Sequence, residues 1–279
     1  MTDPIITSRR HPLVARCRDA ADGHSSEVLL EGPHLVADAI EAGVTISTIL
    51  VAEGAEDRHD IAALVRRAQR QGCVVQRATL AVLDAASPTK SPVGILALAA
   101  LALQEVSRLC AGTSALVTVA VGIQDPGNLG TLIRSSEAAG ATGCLATGNS
   151  AHPFGWKALR GAMGSSLRLP VARTVDTVAT LSDLQAIGLR LVALDAQADL
   201  DLYDTDLSGP LAVCAGAEGA GLPEAVRAMA DLRLRIPMHP PVESLNVGVA
   251  TSLVLFEIAR QRSRASEVGS RSSAAGPHS

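Results

Sequence analysis

A short polar run before a long apolar segment has the residue types and spacing best suited to hold a ligand. Ser244 and Asn246 flank Leu245 just before the apolar run 247–262, and three prolines at positions 237–241 force an extended approach. A helix that begins here leaves backbone N–H groups unpaired. Short polar side chains beside them can cap the helix, contact a ligand, or do both.

A second polar run, residues 125–140, combines a turn with a helix start. Its Asp-Pro-Gly-Asn opening follows an apolar run and precedes a helix predicted over 129–139. Asn128 is placed to cap that helix, and Gly140 is placed to end it. Arg134 lies beside the apolar face of the helix, where local pattern does not distinguish it from a solvated charge.

A glycine-rich run, residues 214–221, connects a predicted strand to a predicted helix. Its three glycines permit positive φ and close approach of the backbone to a ligand. The spacing matches neither a dinucleotide fingerprint nor a P-loop, so both kinds of site are disfavoured. Glu218 stands between two of the glycines as either a partner for a helix N-terminus or a functional acid. The sequence leaves these two roles equally open.

Basic residues offer a third kind of chemistry, the binding of phosphate. Lys157 and Arg160 lie within one turn of a predicted helix, and Lys90 is the only other lysine. All remaining basic residues are Arg, which can bind phosphate in a bidentate manner. The net charge of −4 argues against general coating of a polyanion. A solvated helix face is the commoner explanation of such a pair.

Apolar periodicity predicts layered α/β packing around these residues, in two parts joined by a linker at 101–113. In the first part we predict strands 28–30, 46–51, 73–77 and 93–100 with helices 33–42 and 60–71. In the second we predict strands 116–121, 142–146, 191–194, 211–215 and 234–236 with helices 129–139, 156–161, 223–230 and 247–262. The predicted domains are 1–105 and 114–262, followed by a disordered tail at 263–279, where Ser, Arg, Gly and Pro predominate.

Composition limits the class of protein. The chain is 47% hydrophobic but only 1% aromatic, so aliphatic residues must fill its core. No apolar run reaches the roughly 18 residues of a membrane span, and Pro4 and Pro12 interrupt a polar start that does not resemble a signal peptide. Five scattered cysteines are expected to be free thiols in a reducing cytoplasm. Seven histidines without ligand spacing predict no metal site.

Taken together, the three polar runs resemble a known family in order and spacing. They are similar to the three motifs of the SpoU/TrmH family, RNA 2′-O-ribose methyltransferases of the SPOUT class, over residues 115–262. The matching motifs are Asn128-x-Gly130-x-x-x-Arg134, then Gly216-Ala-Glu218-Gly219-x-Gly221, then Ile236-Pro-Met238 with Glu243-Ser244-Leu245-Asn246-Val. Residues 6–9 and 30–36 are similar to the opening of the family's small substrate-binding domain.

The resemblance implies a fold and a cofactor. The C-terminal part is expected to be a SPOUT-type parallel sheet with a deep trefoil knot, a rare topology that composition cannot indicate. The N-terminal part is expected to be a small, ribosomal-protein-like α/β domain that binds RNA. S-adenosyl-L-methionine would lie in the knot without a metal, and two copies would form a homodimer through the C-terminal domain. The cofactor-binding residues implied are Ala215, Gly216, Ile236, Met238 and Leu245.

The resemblance also implies residue roles. Arg134 matches the catalytic arginine, which would activate or orient the ribose 2′-hydroxyl; arginine stays protonated in proteins, so it is a poor free base. Asn128, Glu218, Ser244 and Asn246 would position the reactants. The implied RNA-binding residues are Arg9, Glu31, Lys157 and Arg160. Two residues depart from the family pattern: Ala217 stands where Asn is common, and Gly248 where Ser or Ala is common.

These expectations favour a cytoplasmic 2′-O-methyltransferase acting on structured RNA, with 23S ribosomal RNA as the leading substrate. A transfer RNA methyltransferase and an antibiotic-resistance ribosomal RNA methylase are the alternatives. A non-catalytic RNA-binding relative is disfavoured by the intact Arg134, Glu218, Ser244 and Asn246. A nucleotide-dependent oxidoreductase lacks its glycine fingerprint.

Overall fold

The computed structural model describes residues 4–23 and 25–274, and the chain forms two compact units. The first unit is Met1–Leu103 together with Ala151–Arg168, and the second is Gln104–Ser150 together with Leu169–Ser279. The division after Leu103 lies within the predicted linker, 101–113. The return of 151–168 to the first unit was not predicted, because it depends on packing between segments far apart in sequence.

The helices and strands are numbered in chain order. As far as residue 103 they are α1 Pro12–Ala21, β1 Glu27–Glu31, α2 Pro33–Glu41, β2 Ile46–Ala52, α3 His59–Arg70, β3 Val74–Ala78, α4 Leu80–Ala86 and β4 Ile95–Ala100. From residue 104 they are α5 Val106–Leu109, β5 Leu116–Val121, α6 Pro126–Ala138, β6 Gly143–Thr147, α7 Trp156–Ala162, β7 Val171–Thr174, α8 Thr177–Ala186, β8 Arg190–Leu194, β9 Leu200–Asp201, β10 Leu211–Gly216, α9 Glu224–Met229, β11 Leu232–Arg235 and α10 Val247–Ala274.

The first unit contains a four-stranded sheet in the order β1-β4-β2-β3. β4 pairs antiparallel with β1 and β2, and β2 pairs parallel with β3. Helices α1 and α4 cover one face, where Leu13, Cys17 and Leu83 pack against Leu29 and Leu98. Both helices were missed by the prediction, although the buried positions of α1 already show helical spacing in the sequence.

The second unit contains a seven-stranded parallel sheet in the order β7-β6-β5-β10-β8-β11-β9. All six residues of β5 are buried, as expected for a strand covered on both faces. These two sheets confirm the predicted α/β class. Because β10 lies between β5 and β8, the loop that follows β10 lies in the middle of the carboxyl edge, where parallel sheets commonly bind ligands.

The last helix, α10, begins at Val247 as predicted but continues to Ala274. The prediction of a disordered tail from 263 is therefore wrong as far as 274, and residues 275–279 lie outside the described residues. The physical reason is that 263–274 contain no proline and include Ala, Arg and Glu, which favour helix. Within the described residues, no helix has both the length and the apolar character needed to cross a bilayer.

The five cysteines are free, and all except the partly exposed Cys110 are buried, which confirms the prediction of unpaired thiols. Burial raises the pKa of Cys17 to about 11 and the pKa values of Cys144 and Cys214 to about 12. These thiols are protonated near neutral pH and act as small apolar core residues.

Candidate active site

Asn246 links the three polar runs that the sequence singled out. Its Oδ1 accepts hydrogen bonds from the backbone N–H groups of Gly248 (2.9 Å) and Val249 (3.2 Å), which confirms that it caps α10. Its Nδ2 donates to Oδ1 of Asn128 (3.0 Å) and to Oε1 of Glu218 (2.6 Å). One side chain therefore stabilises the helix start and joins residues from all three runs.

Asn128 reaches Asn246 because it does not cap its own helix. Asp125 is the cap of α6, and its Oδ1 accepts from the backbone N–H of Asn128 (2.8 Å). The prediction that Asn128 caps this helix is wrong. Pro126 is the first helical residue, so the cap is the residue directly before it, Asp125. Asn128 is therefore the third residue of α6, and its side chain is available to Asn246.

Close packing of α6 against α10 holds Asn128 and Asn246 in register. The hydroxyls of Ser135 and Ser252 are 2.6 Å apart across the two helices. A Cβ added to Gly248 would lie 2.8 Å from Cγ2 of Thr131, which is too close for a real contact. Gly248, one of the two departures from the family pattern, is therefore explained by its neighbour Thr131.

The glycine-rich loop after β10 is tightly folded and presents Glu218 to solvent. A Cβ on Gly216 would come within 2.4 Å of three backbone atoms of Gly221 and Leu222, so no larger residue fits there. The N–H of Gly221 donates to the carbonyl of Ala217 at 2.8 Å, which closes the loop. This closure fixes where Glu218 meets Asn246.

A cavity of about 540 Å³ opens beside this loop, and its volume is typical of small-molecule sites. Its walls are the loops that follow β8, β10 and β11 and the start of α10. All the cofactor-binding residues predicted from the resemblance line it, together with three of the predicted positioning residues: Ala215, Gly216, Ile236, Met238 and Leu245, with Glu218, Ser244 and Asn246.

Two charged residues of this cavity were not predicted, Asp195 and Arg227. Asp195 follows β8 directly and accepts hydrogen bonds from the backbone N–H of Gln197 (2.9 Å) and from Nη2 of Arg233 (2.7 Å). The Gln197 hydrogen bond is the largest influence on Asp195 and, with the Arg233 contact, lowers its pKa against the opposing effect of burial. An aspartate at the carboxyl end of an apolar strand was the signal available in the sequence.

The structure does not bring every predicted catalytic residue into this network. Arg134 is exposed on α6 and does not line the cavity, and its guanidinium makes no hydrogen bond to any residue that the structure describes. Ser244 lines the cavity and is exposed, but it does not share in the cap of α10. The network itself consists of Asn128, Glu218 and Asn246.

The four residues predicted to bind RNA all lie in the first unit. Lys157 and Arg160 are exposed on α7, and Arg9 is exposed with its Nε donating to the carbonyl of Ala81 (3.2 Å). Glu31 is partly buried. The hydroxyls of two residues in the segment before β4, Ser87 and Thr89, donate to its Oε1. These contacts give Glu31 a structural role, and its contact with RNA stays a prediction.

Two family models match the chain, one in its N-terminal third and the other in its C-terminal part. The SpoU rRNA Methylase family matches residues 115–256, and the RNA 2′-O ribose methyltransferase substrate-binding domain matches residues 29–102. The chain belongs to the SpoU family of RNA 2′-O-ribose methyltransferases. It is an enzyme with an N-terminal domain that binds the RNA substrate.

Relatives with known names or structures agree with this assignment. The methyltransferase is 34% identical over 277 residues to an uncharacterized tRNA/rRNA methyltransferase of Mycobacterium avium, a match covering 94% of this chain and 87% of the relative. It is also 34% identical to the 23S rRNA (guanosine-2′-O-)-methyltransferase RlmB of Shewanella oneidensis, over 75% of this chain and 87% of that protein. The crystal structure of an AdoMet-bound rRNA methyltransferase from Sinorhizobium meliloti superimposes with a TM-score of 0.81, at 27% identity, over 92% of this chain and 97% of the other.

The cofactor of the methyltransferase is S-adenosylmethionine, and the cavity fits it. The walls are mainly loop backbone and small or apolar side chains, which suit an adenosine group held by main-chain contacts. Glu218 and Asp195 place carboxylates at the same cavity, and their negative charge complements the sulfonium and ammonium groups of this cofactor.

Proposed function

We propose that this methyltransferase modifies a ribose 2′-hydroxyl of 23S ribosomal RNA. The observation that carries the proposal is the identity to RlmB, which extends over 75% of the chain and so beyond the catalytic segment 115–256 alone. The name of the Mycobacterium avium relative includes both classes of RNA, and this keeps transfer RNA as the second candidate. Either substrate places the protein in the cytoplasm.

The chemistry requires placement of the hydroxyl rather than creation of a strong electrophile. Bound in the cavity, S-adenosylmethionine supplies a methyl group that its sulfonium already makes electrophilic. The protein must hold a weakly acidic 2′-hydroxyl in line and favour loss of its proton, and such positioning accounts for a large part of many enzymatic rates. We assign the positioning of the ribose to Asn128, Glu218 and Asn246, since their network lies at the rim of the cavity.

Arg134 is proposed to act on the charge that develops on the ribose oxygen. A guanidinium remains protonated in proteins, so it can donate hydrogen bonds but serves poorly as a base. Its exposure on α6, six residues after Asn128, leaves it available to a phosphate or to the developing alkoxide of bound RNA. We assign Ser244 a supporting contact with the reactants because it lines the cavity.

We further propose that the second unit forms a homodimer through α10. Val249, Leu253 and Phe256 follow a spacing of four and three residues, so they form one stripe on the helix. They are 49%, 38% and 52% exposed, respectively. Exposing three neighbouring large apolar side chains to water is unfavourable and is typical of an interaction surface. A second copy of the same stripe would cover them.

The proposed substrate is tested by mapping 2′-O-methyl groups on total RNA from cells with and without the gene. We expect one 2′-O-methyl group to disappear from 23S ribosomal RNA and to return with the wild-type gene but not with an Arg134→Ala gene. Loss confined to a transfer RNA would favour the second candidate. An unchanged map in both classes of RNA would contradict the proposed function.

A further inference from the structure

Trp156 is the only tryptophan in a chain that is 1% aromatic. It is the first residue of α7 and packs, partly buried, against the apolar core of the first unit. Part of the indole remains accessible. The one indole of a protein whose core is almost entirely aliphatic therefore lies at the edge of that core, with part of its ring at the surface.

Two cations surround this ring. Nζ of Lys157 is 5.6 Å and Cζ of Arg160 is 5.7 Å from the ring centre, near the outer limit of a cation–π contact. Both side chains are exposed. At these distances each cation can turn toward a ligand with little loss of interaction with the ring.

These cations differ from several others in the same unit. Four arginines of the first unit are in ion pairs with carboxylates: Arg16 with Glu27, Arg58 with Asp60, Arg67 with Glu41, and Arg77 with Glu56. Within the part of the chain that the structure describes, neither Lys157 nor Arg160 has such a partner. Two uncompensated positive charges therefore lie beside one accessible indole.

An unpaired nucleotide has the matching chemistry. Its base can stack on an aromatic ring, and its phosphates can pair with flanking cations. An acidic peptide would engage the two cations but would leave the indole without a matching partner. The combination of an aromatic ring with two cations therefore favours single-stranded RNA.

We propose that Trp156, Lys157 and Arg160 form a nucleotide-binding surface that stacks one unpaired base of the substrate RNA on the indole. The inference rests on the proposed role of the first unit in binding RNA, and it adds a base-stacking residue to the two cations. The surface selects RNA that offers an unpaired base, because a base inside a helix cannot reach the ring.

The test uses the full-length protein, in which all tryptophan fluorescence comes from Trp156. We expect single-stranded oligoadenylate to quench this fluorescence with the same saturation curve that the anisotropy of a labelled oligoadenylate shows. Heparin, a polyanion without bases, should bind without stacking and give little quenching. Trp156→Leu should weaken oligoadenylate binding by roughly 5- to 150-fold, and Trp156→Phe, which keeps an aromatic ring, should stay near wild type. Tyr203→Leu, at an exposed aromatic of the second unit, is the matched control and should bind as wild type does.

Binding without quenching would overturn the proposal, and so would unchanged affinity in Trp156→Leu at an unchanged melting temperature. If Trp156→Leu lowers the melting temperature, the decision rests on the quenching curve and on Trp156→Phe. Methyl transfer to 23S RNA by the same wild-type preparation is measured in parallel. Transfer without quenching refutes only the stacking surface, whereas quenching without transfer to any RNA contradicts the proposed function.

Discussion

The substitution Asn246→Asp separates the two roles of the Asn246 side chain, which caps α10 and connects Asn128 with Glu218. Aspartate caps a helix as well as asparagine does, so the acceptor for the N–H groups of Gly248 and Val249 is kept. The donor to Asn128 and Glu218 is lost, and a carboxylate instead faces Oε1 of Glu218. The variant should therefore keep α10 and lose the network.

The expected size of the effect follows from the contacts. A hydrogen bond to a charged group contributes about 1.5–3 kcal/mol, and exposure of both Asn246 and Glu218 favours the lower end. Two like charges about 4 Å apart add about 1 kcal/mol of repulsion in water. Because methyl transfer requires this geometry, losing about 2–3 kcal/mol of the interactions that hold it lowers the rate by roughly 30- to 150-fold.

The assay is the initial rate of labelled-methyl transfer to ribosomal RNA, with the melting temperature measured alongside. Asn246→Asp should lose rate with almost no change in melting temperature. Asn246→Ala is the comparison, because it loses the network and the cap together and should cost about 1 kcal/mol of stability as well.

A second substitution distinguishes the two roles that the sequence left open for Glu218. In Asn246→Asp with Glu218→Gln, the amide donor lies on residue 218 and the acceptor on residue 246, so the hydrogen bond is restored without repulsion. If Glu218 positions Asn246, the double variant recovers most of the rate. No recovery would favour Glu218 as a functional acid, and a wild-type rate for Asn246→Asp alone would contradict a role of the network in methyl transfer.

Three further predictions test the packing of Gly248, the proposed role of Arg134 and the proposed dimer interface. Gly248→Ala should lower the free energy of unfolding by about 1–3 kcal/mol in a denaturant titration. Adding Thr131→Ser, which removes the methyl group that would clash, should restore much of that free energy. Equal loss in the single and the double variant would contradict the contact between residues 248 and 131. Arg134→Ala should abolish methyl transfer while circular dichroism and S-adenosylmethionine binding by calorimetry stay unchanged, and near-normal transfer would remove Arg134 from the mechanism. Leu253→Asp should convert the proposed dimer to a monomer by light scattering, whereas Val178→Asp, at an exposed apolar position on α8, should not. A dimer in both variants would exclude the α10 stripe as the interface.

Much of the fold was predictable because burial leaves a local pattern. The continuous apolar runs of β5 and β10 identify strands covered on both faces, and Asn246 before a long apolar run identifies a capped helix. The residues that the resemblance implies for cofactor binding line one cavity, and their contact with the cofactor stays a prediction. Their place at the carboxyl edge then follows from the parallel sheet.

The wrong or missed predictions concern positions where two local signals compete, or where the structure depends on residues far apart in the sequence. Both Asp125 and Asn128 can cap a helix, and only the position of Pro126 between them selects Asp125. The return of 151–168 to the first unit depends on contacts such as that of Trp156 with a core built from residues far away in sequence. The contact of Gly248 with Thr131 depends on how α6 crosses α10, and no local pattern encodes it.

The most direct test of the account is methyl transfer by the purified protein to RNA isolated from cells that lack the gene. Labelled S-adenosylmethionine is supplied with 23S RNA, 16S RNA or transfer RNA, and the digested products are separated as nucleosides. We expect label in a 2′-O-methyl nucleoside of 23S RNA with the wild-type protein and none with Arg134→Ala. Label on a base, or equal transfer by the two proteins, would contradict it.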